Sequence, residues 1–272
     1  MVQTFIIILI IVFVSAVFLL WFGLRVKPKP FPVFQVKGAA PQLVDLPADL
    51  PAPVAKFFRS FYGDQIPVFT SAIITGRAQI RLFGITFPSR FRFVHRAGRD
   101  YRHYIEATIF GFPFVRVNEF YLDGISRMET PAGVIENVPN VNQAANVGLW
   151  AESIWLPALF LTDERVKWGE IDEDTASVTV PFGDVRQTMV IRFDPETRMI
   201  SHLEAMRYRD AADKHKILWI NQAHGIHDIG GHKVLSPGAV VWLDQGKPWA
   251  IFSVEEVVYN IDVADYVREH GI

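Results

Sequence analysis

The chain opens on an apolar run from Phe5 to Leu24 that only Ser15 and Gly23 interrupt. At the helical rise, about twenty residues cover roughly 30 Å, the thickness of a bilayer core. The pattern predicts a transmembrane helix over residues 1–27. A cleaved signal peptide is the other reading of such a start, with Val14-Ser15-Ala16 as its small-residue site. It lacks a basic leading segment, and the apolar run continues through Trp21 and Phe22, which favours a retained anchor.

The pattern then changes twice. Residues 28–52 form a proline-rich linker: from Pro28 to Pro53 inclusive there are seven prolines, with neither a helical nor a strand period. Such composition predicts an extended, semi-rigid stalk. A single β-rich domain over residues 53–272 follows. It begins with a short amphipathic helix over Pro53–Tyr62, where Val54, Phe57, Phe58 and Phe61 share one face and Gly63 suits the C-cap.

Beyond that helix, alternation with period two dominates. In Arg90–Arg96 the residues Arg90, Arg92 and Arg96 share one parity and Phe91, Phe93 and His95 the other, which predicts a half-buried strand with one wet face. Similar runs occupy Tyr101–Phe110, Phe112–Leu122, Ser177–Phe182, Gln187–Phe193, Met199–Arg209, Lys214–Gln222, Lys233–Leu243 and Ala250–Ile261. Turn residues such as Asp123-Gly124 and Gly230-Gly231 separate them, so the pairing is expected to be antiparallel, with about ten to twelve strands. One segment departs from the pattern: Asn140–Leu161 reads as a long apolar helix, kinked or ended at Pro157. The fold class expected is mainly β, a large curved antiparallel sheet forming a half-barrel whose concave face the inserted helix plugs.

Charge and composition narrow the function. With 27 basic and 29 acidic residues spread along the chain, nothing draws it to nucleic acid. The absence of cysteine removes disulfides, thiolate metal sites and cysteine nucleophiles. No nucleophile elbow, phosphate loop, zinc signature or paired-carboxylate motif occurs, so no catalytic residue and no cofactor is assigned.

Two stretches carry a family resemblance. Asp228-Ile229-Gly230-Gly231-His232-Lys233-Val234-Leu235-Ser236-Pro237 and the closing Glu256–Asp262 resemble the end of LolA-like lipoprotein carriers. The whole soluble part is similar to an uncharacterised bacterial family of membrane-anchored domains, through Leu50-Pro51-Ala52-Pro53-Val54, Tyr121-Leu122-Asp123-Gly124 and Glu152-Ser153-Ile154-Trp155-Leu156-Pro157. The resemblance implies a half-barrel that holds an acyl chain or another apolar ligand outside the cytoplasmic membrane. The basic residues Arg25, Lys27 and Lys29, which follow the span with none before it, argue for the opposite side. The large domain is expected on the extracytoplasmic side, against that flank.

Trp150, Trp155, Phe160, Trp219 and Trp242 are the candidate lining of an apolar cavity, and they would equally build a dry core. Glu152 lies among large apolar groups at helical spacing, either at a ligand cavity, paired with a strand arginine, or on a solvent-facing edge of the helix. His224, His227 and His232 are the one histidine cluster along the sequence; the nearby Gly225, Gly230 and Gly231 favour a surface hairpin over a metal site, and no metal ligand is assigned. The function expected is non-enzymatic binding of a lipid or lipoprotein acyl chain by a membrane-anchored domain. A structural or assembly module of the cell envelope, with a protein partner, is the alternative, and a metal-dependent hydrolase using the histidine cluster stands third.

Overall fold

The computed structural model describes residues 2–268. Helix α1 spans Val2–Gly23, is exposed along nearly its whole length, and is long and apolar enough to cross a membrane. Helix α2, Ala52–Tyr62, matches the predicted amphipathic helix, with the Gly63 N–H closing its end on the Arg59 carbonyl at 2.9 Å.

The strands are β1 Gln42–Asp45, β2 Gln65–Val68, β3 Ser71–Leu82, β4 Ile85–Arg96, β5 Asp100–Ile109, β6 Phe112–Leu122, β7 Ile125–Thr130 and β8 Gly133–Glu136. They continue with β9 Lys167–Asp172, β10 Thr175–Phe182, β11 Val185–Phe193, β12 Ile200–Arg207, β13 Ile217–Ala223, β14 Ile226–Ile229, β15 His232–Leu235, β16 Gly238–Trp242 and β17 Pro248–Tyr259. Thirteen of them form one antiparallel sheet in the order β8-β7-β6-β5-β4-β3-β17-β16-β13-β12-β11-β10-β9, whose end strands β8 and β9 do not pair. The sheet stays open, and its two arms are joined at the middle, where β17 returns to lie beside β3. The predicted strand Lys233–Leu243 is divided at Ser236-Pro237 into β15 and β16, because proline offers no N–H to a ladder.

Between β8 and β9 the chain crosses the concave face. The predicted long helix is three pieces: α3 Pro139–Ala151, a 3₁₀ turn Glu152–Trp155 and α4 Leu159–Thr162, with Pro157 unable to continue the helix. Helix α3 touches β6 and β7 on one arm of the sheet and β10 and β12 on the other, so the sheet curves around it. Val147, Trp150, Ile154 and Phe160 of this plug are fully buried with α2 in the main core.

The convex face is covered too, which corrects two expectations. Residues 28–41 do not stand off as a stalk; they lie along the sheet. Phe31 is buried beneath Arg90, whose guanidinium sits 4.2 Å from its ring, and beside Tyr104. The Phe34 N–H donates to Glu256 at 2.9 Å, the Ala39 N–H to the Asn260 carbonyl at 3.0 Å, and Arg92 donates to the Pro32 carbonyl. The face read as wet thus carries buried Arg92, and beside it Ile73 and Val94 pack under helix α5, Ala264–Arg268.

Candidate functional site: a buried histidine–glutamate cluster beneath the plug

Strands β4 and β5 pair so that Phe93 faces His103 and His95 faces Tyr101, with all four side chains on the concave side. The three-residue turn Ala97–Arg99 sets this register and makes the two histidines diagonal neighbours. The His103 ring is stacked between Phe93 at 3.9 Å and Tyr101 at 3.8 Å, which fixes its orientation. From the plug, where α3 gives way to the 3₁₀ turn, Glu152 reaches both: its Oε2 lies 2.8 Å from His103 Nε2 and 3.2 Å from His95 Nε2. None of these three buried atoms is aligned for a hydrogen bond, although their separations are those of ion pairs.

A second layer supports the first. Glu119 of β6 lies opposite His103 in register, with its Oε2 3.9 Å from His103 Nδ1. Tyr101 donates its hydroxyl to Glu119 Oε1 at 2.6 Å. Arg207 of β12 lies over Trp219 and Trp242, at 4.7 and 5.6 Å from the ring centres, and donates to the Ala144 carbonyl of α3.

The electrostatics follow from this packing. Burial alone would lower the His103 pKa, but the charges of Glu152 and of nearby Glu119 outweigh it and hold the imidazole up at about 9. Burial would raise Glu152, and the His103 charge overrides it, bringing the carboxyl down to about 2. Glu119 is lowered in the same way against its own burial, chiefly by His103. His95 goes the other way: burial lowers it, and Glu152 only partly restores it. The cluster thus balances two carboxylates with the His103 imidazolium and the Arg207 guanidinium, while His95 stays neutral.

The six residues nominated from the sequence are all at the interior, but not in one place. Trp155 packs on Phe91, Phe93 and Phe252 and so borders the cluster through Phe93. Trp219 and Trp242 face each other across β13 and β16 and meet the cluster through Arg207. Trp150 stacks on Phe160 at 6.3 Å and lines a separate recess of about 310 Å³ with Gly98, Tyr121, Asn146 and Arg165. Glu152 pairs with strand histidines, not with a strand arginine.

The histidines that lie close in sequence do not assemble. His227 and His232 sit on the small β14–β15 hairpin, the surface hairpin expected, with His232 turned against the Tyr259 ring. Among the described residues, the histidine and carboxylate donors that converge are His95, His103 and Glu152, within 4.8 Å of one another. His103, Glu119, Tyr101 and Arg207 were not singled out from the sequence. One signal for the histidines was present: the segment from His95 to His103 is a hairpin with a glycine turn, which brings the two onto one face.

These features define a class: an open antiparallel sheet wrapped around a helical plug, with a charged cluster sealed between them. The chain belongs to the family of unknown function DUF6544, whose pattern matches residues 42–254. No curated protein matches the sequence significantly. Among solved structures, the fold is similar to a LolA superfamily protein from Nitrosomonas europaea, at 8% identity and a TM-score of 0.49 over 81% of this chain and 98% of that one. It is also similar to a DUF1329 family protein from Desulfovibrio piger, at 13% identity and a TM-score of 0.45 over 75% of this chain and 91% of that one. A third is a putative outer membrane lipoprotein-sorting protein domain from Vibrio parahaemolyticus, at 10% identity and a TM-score of 0.42 over 79% and 92%.

Proposed function

We propose that this chain is a membrane-anchored, non-catalytic domain that binds an apolar ligand, a lipid or the acyl part of a lipoprotein, on the concave face of its sheet. The observation that carries this reading is the way that face is covered. An aromatic floor of Phe91, Phe93 and Phe252 meets a broken helical segment through Trp155, and a polar cluster ties that segment to the strands. A plug interrupted at Pro157 and tied down by charge can be displaced, where a continuous layer of strands could not. The ligand would take the place of Trp155 and its neighbours, with Trp219, Trp242 and the recess beside Trp150 and Phe160 as the further lining. The domain would work on the extracytoplasmic face of the cytoplasmic membrane, held there by α1.

Two measurements test this. Native mass spectrometry of the detergent-purified chain should release a bound lipid, and an apolar fluorescent probe should compete with it. An interior that yields no lipid and takes up no probe, in the wild type and in Trp155→Ala alike, sinks the reading. For the anchor, a charge at the centre of the span costs a few kcal/mol, about 3 on insertion scales, so Val14→Arg should move much of the protein out of the membrane fraction. Protease accessibility in intact cells decides the side.

One observation favours a second reading. Two imidazole nitrogens and a carboxylate oxygen converge without hydrogen-bond alignment, and a carboxylate approaches the far nitrogen of His103. This is the arrangement of a nitrogen–oxygen site for zinc or a similar divalent metal, with Glu119 orienting its ligand from behind. In that case His103 is neutral and Glu152 coordinates. Elemental analysis of protein purified without chelator decides between the readings: a stoichiometric metal lost in His103→Gln supports the metal centre, and a metal-free protein of unchanged stability in chelator removes it.

A further inference from the structure

Three hairpins in this sheet turn through two residues with positive φ at both: Phe83-Gly84 between β3 and β4, Phe110-Gly111 between β5 and β6, and Asp123-Gly124 between β6 and β7. Such turns favour asparagine, aspartate or glycine at the first position, and a large aromatic side chain there is under backbone strain. The Asp123 turn follows the rule. The other two do not, with φ of 52° at Phe83 and 55° at Phe110. Packing does not compensate at Phe83, which is 98% exposed. Strain at exposed positions, where the same sheet uses aspartate elsewhere, calls for a role outside the fold.

The position of the turns supplies it. Leu82 pairs with Ile85 and Ile109 with Phe112 at one edge of the antiparallel sheet, whereas Leu122 pairs with Ile125 at the opposite edge. The Phe83 and Phe110 tips therefore share an edge, and the Asp123 tip lies at the other. Helix α1 ends at that first edge: the Phe110 N–H donates to the Gly23 carbonyl at 2.9 Å, and the Phe22 ring lies 6.1 Å from that of Phe110. Phe112, 74% exposed, and Phe114 extend the same apolar surface. At the helix end, Arg25 covers the ring of Trp21 at 4.0 Å, a cation and an aromatic ring where a span meets headgroups.

We propose that this edge is a membrane-contact surface: Phe83, Phe110, Phe112 and Phe114 enter the interface of the bilayer that α1 spans and seat the sheet on the lipid. The occupant is a lipid surface because the apolar patch is continuous with the end of an apolar span, so the leaflet that receives Trp21 lies at the level of the tips. The inference rests on α1 as an anchor and deepens the proposed function, since it places one end of the apolar-lined sheet against the source of an apolar ligand.

The absence of cysteine makes the test clean, because a single introduced thiol is the sole labelling site. Full-length Phe83→Cys, Phe112→Cys and Asp123→Cys are labelled with an environment-sensitive fluorophore and reconstituted into phosphatidylcholine–phosphatidylglycerol vesicles carrying a lipid-borne quencher. Labels at 83 and 112 should be quenched several-fold more than the label at 123. Equal, water-like behaviour of all three in protein that floats with the vesicles overturns the proposal and leaves the anchor standing. Protein that fails to float overturns both. Phe83→Asn separates seating from folding: it suits the positive φ, so thermal stability should hold or rise while quenching of the label at 112 falls. Unchanged quenching at 112 in Phe83→Asn together with Phe114→Asn also overturns the proposal.

Discussion

Strand β4 sends Phe91, Phe93 and His95 to the concave side of the sheet and Arg90, Arg92 and Val94 to the convex side, and the two sides are covered by unlike means. On the concave side a helical plug buries aromatic surface and sets one carboxylate between two histidines. On the convex side an extended, proline-rich strap lies across arginines, held by cation–π contact and backbone hydrogen bonds. Helices satisfy their own backbone groups and can cover an apolar floor. The extended strap has no internal bonds, so it must take partners from the sheet, and long polar side chains provide them. The difference teaches that a strand can be buried on both faces while one face keeps long polar side chains, as β4 does with Arg90 and Arg92 opposite Phe91 and Phe93.

If the plug is core, Trp155→Ala should cost about 3–5 kcal/mol in chemical unfolding. A much smaller loss, with altered uptake of an apolar probe, would show a pre-existing cavity beside the plug. Glu152→Gln leaves the His103 charge without its partner and should cost about 3 kcal/mol, as breaking a buried pair does. A loss near zero would mean that the cluster does not hold the plug. On the convex side, Phe31→Ala removes one buried ring and its cation contact, for about 2 kcal/mol. A cost equal to that of Trp155→Ala would make strap and plug equivalent and break the contrast.

The pH dependence sharpens it further. His103 is raised from 6.5 to about 9 in the folded chain, so its contribution is complete below pH 6.5 and is lost as pH rises through about 9. Glu152, brought down to about 2, contributes above its ordinary value of 4.5 and loses that contribution as pH falls through about 2. Stability should therefore decline between pH 6.5 and 9 by up to about 1.4 kcal/mol per pH unit, and His103→Gln should flatten that slope. An unchanged slope in the variant would assign the titration elsewhere. The smallest effect belongs to the histidines close in sequence: His224→Ala with His227→Ala should change stability by no more than about 0.5 kcal/mol.

Periodicity alone determined a good deal about this protein. The apolar run of α1, the face of α2 and most of the strands of the main sheet follow from residues close in sequence, because a strand or helix writes its period locally. The strap escapes periodicity for a related reason: prolines predict extended backbone, but not whether that backbone lies in water or along a sheet. The short strands β1, β2, β7, β8 and β9 are not legible in the sequence, because four to six residues carry too little pattern. Strand β3, at Ser71–Leu82, is not legible either although it is among the longest, since most of its residues are buried and its first half does not alternate.

The cluster needed the tertiary structure. Its residues stand at positions 95, 101, 103, 119, 152 and 207, and two strand registers, the plug and the far arm's β12 bring them together. His224, His227 and His232 are near neighbours along the chain, but among the described residues they form no converging set of three donors. Sequence proximity measures reach along the backbone, whereas the chemistry of a buried group depends on distance through space and on the water that packing removes.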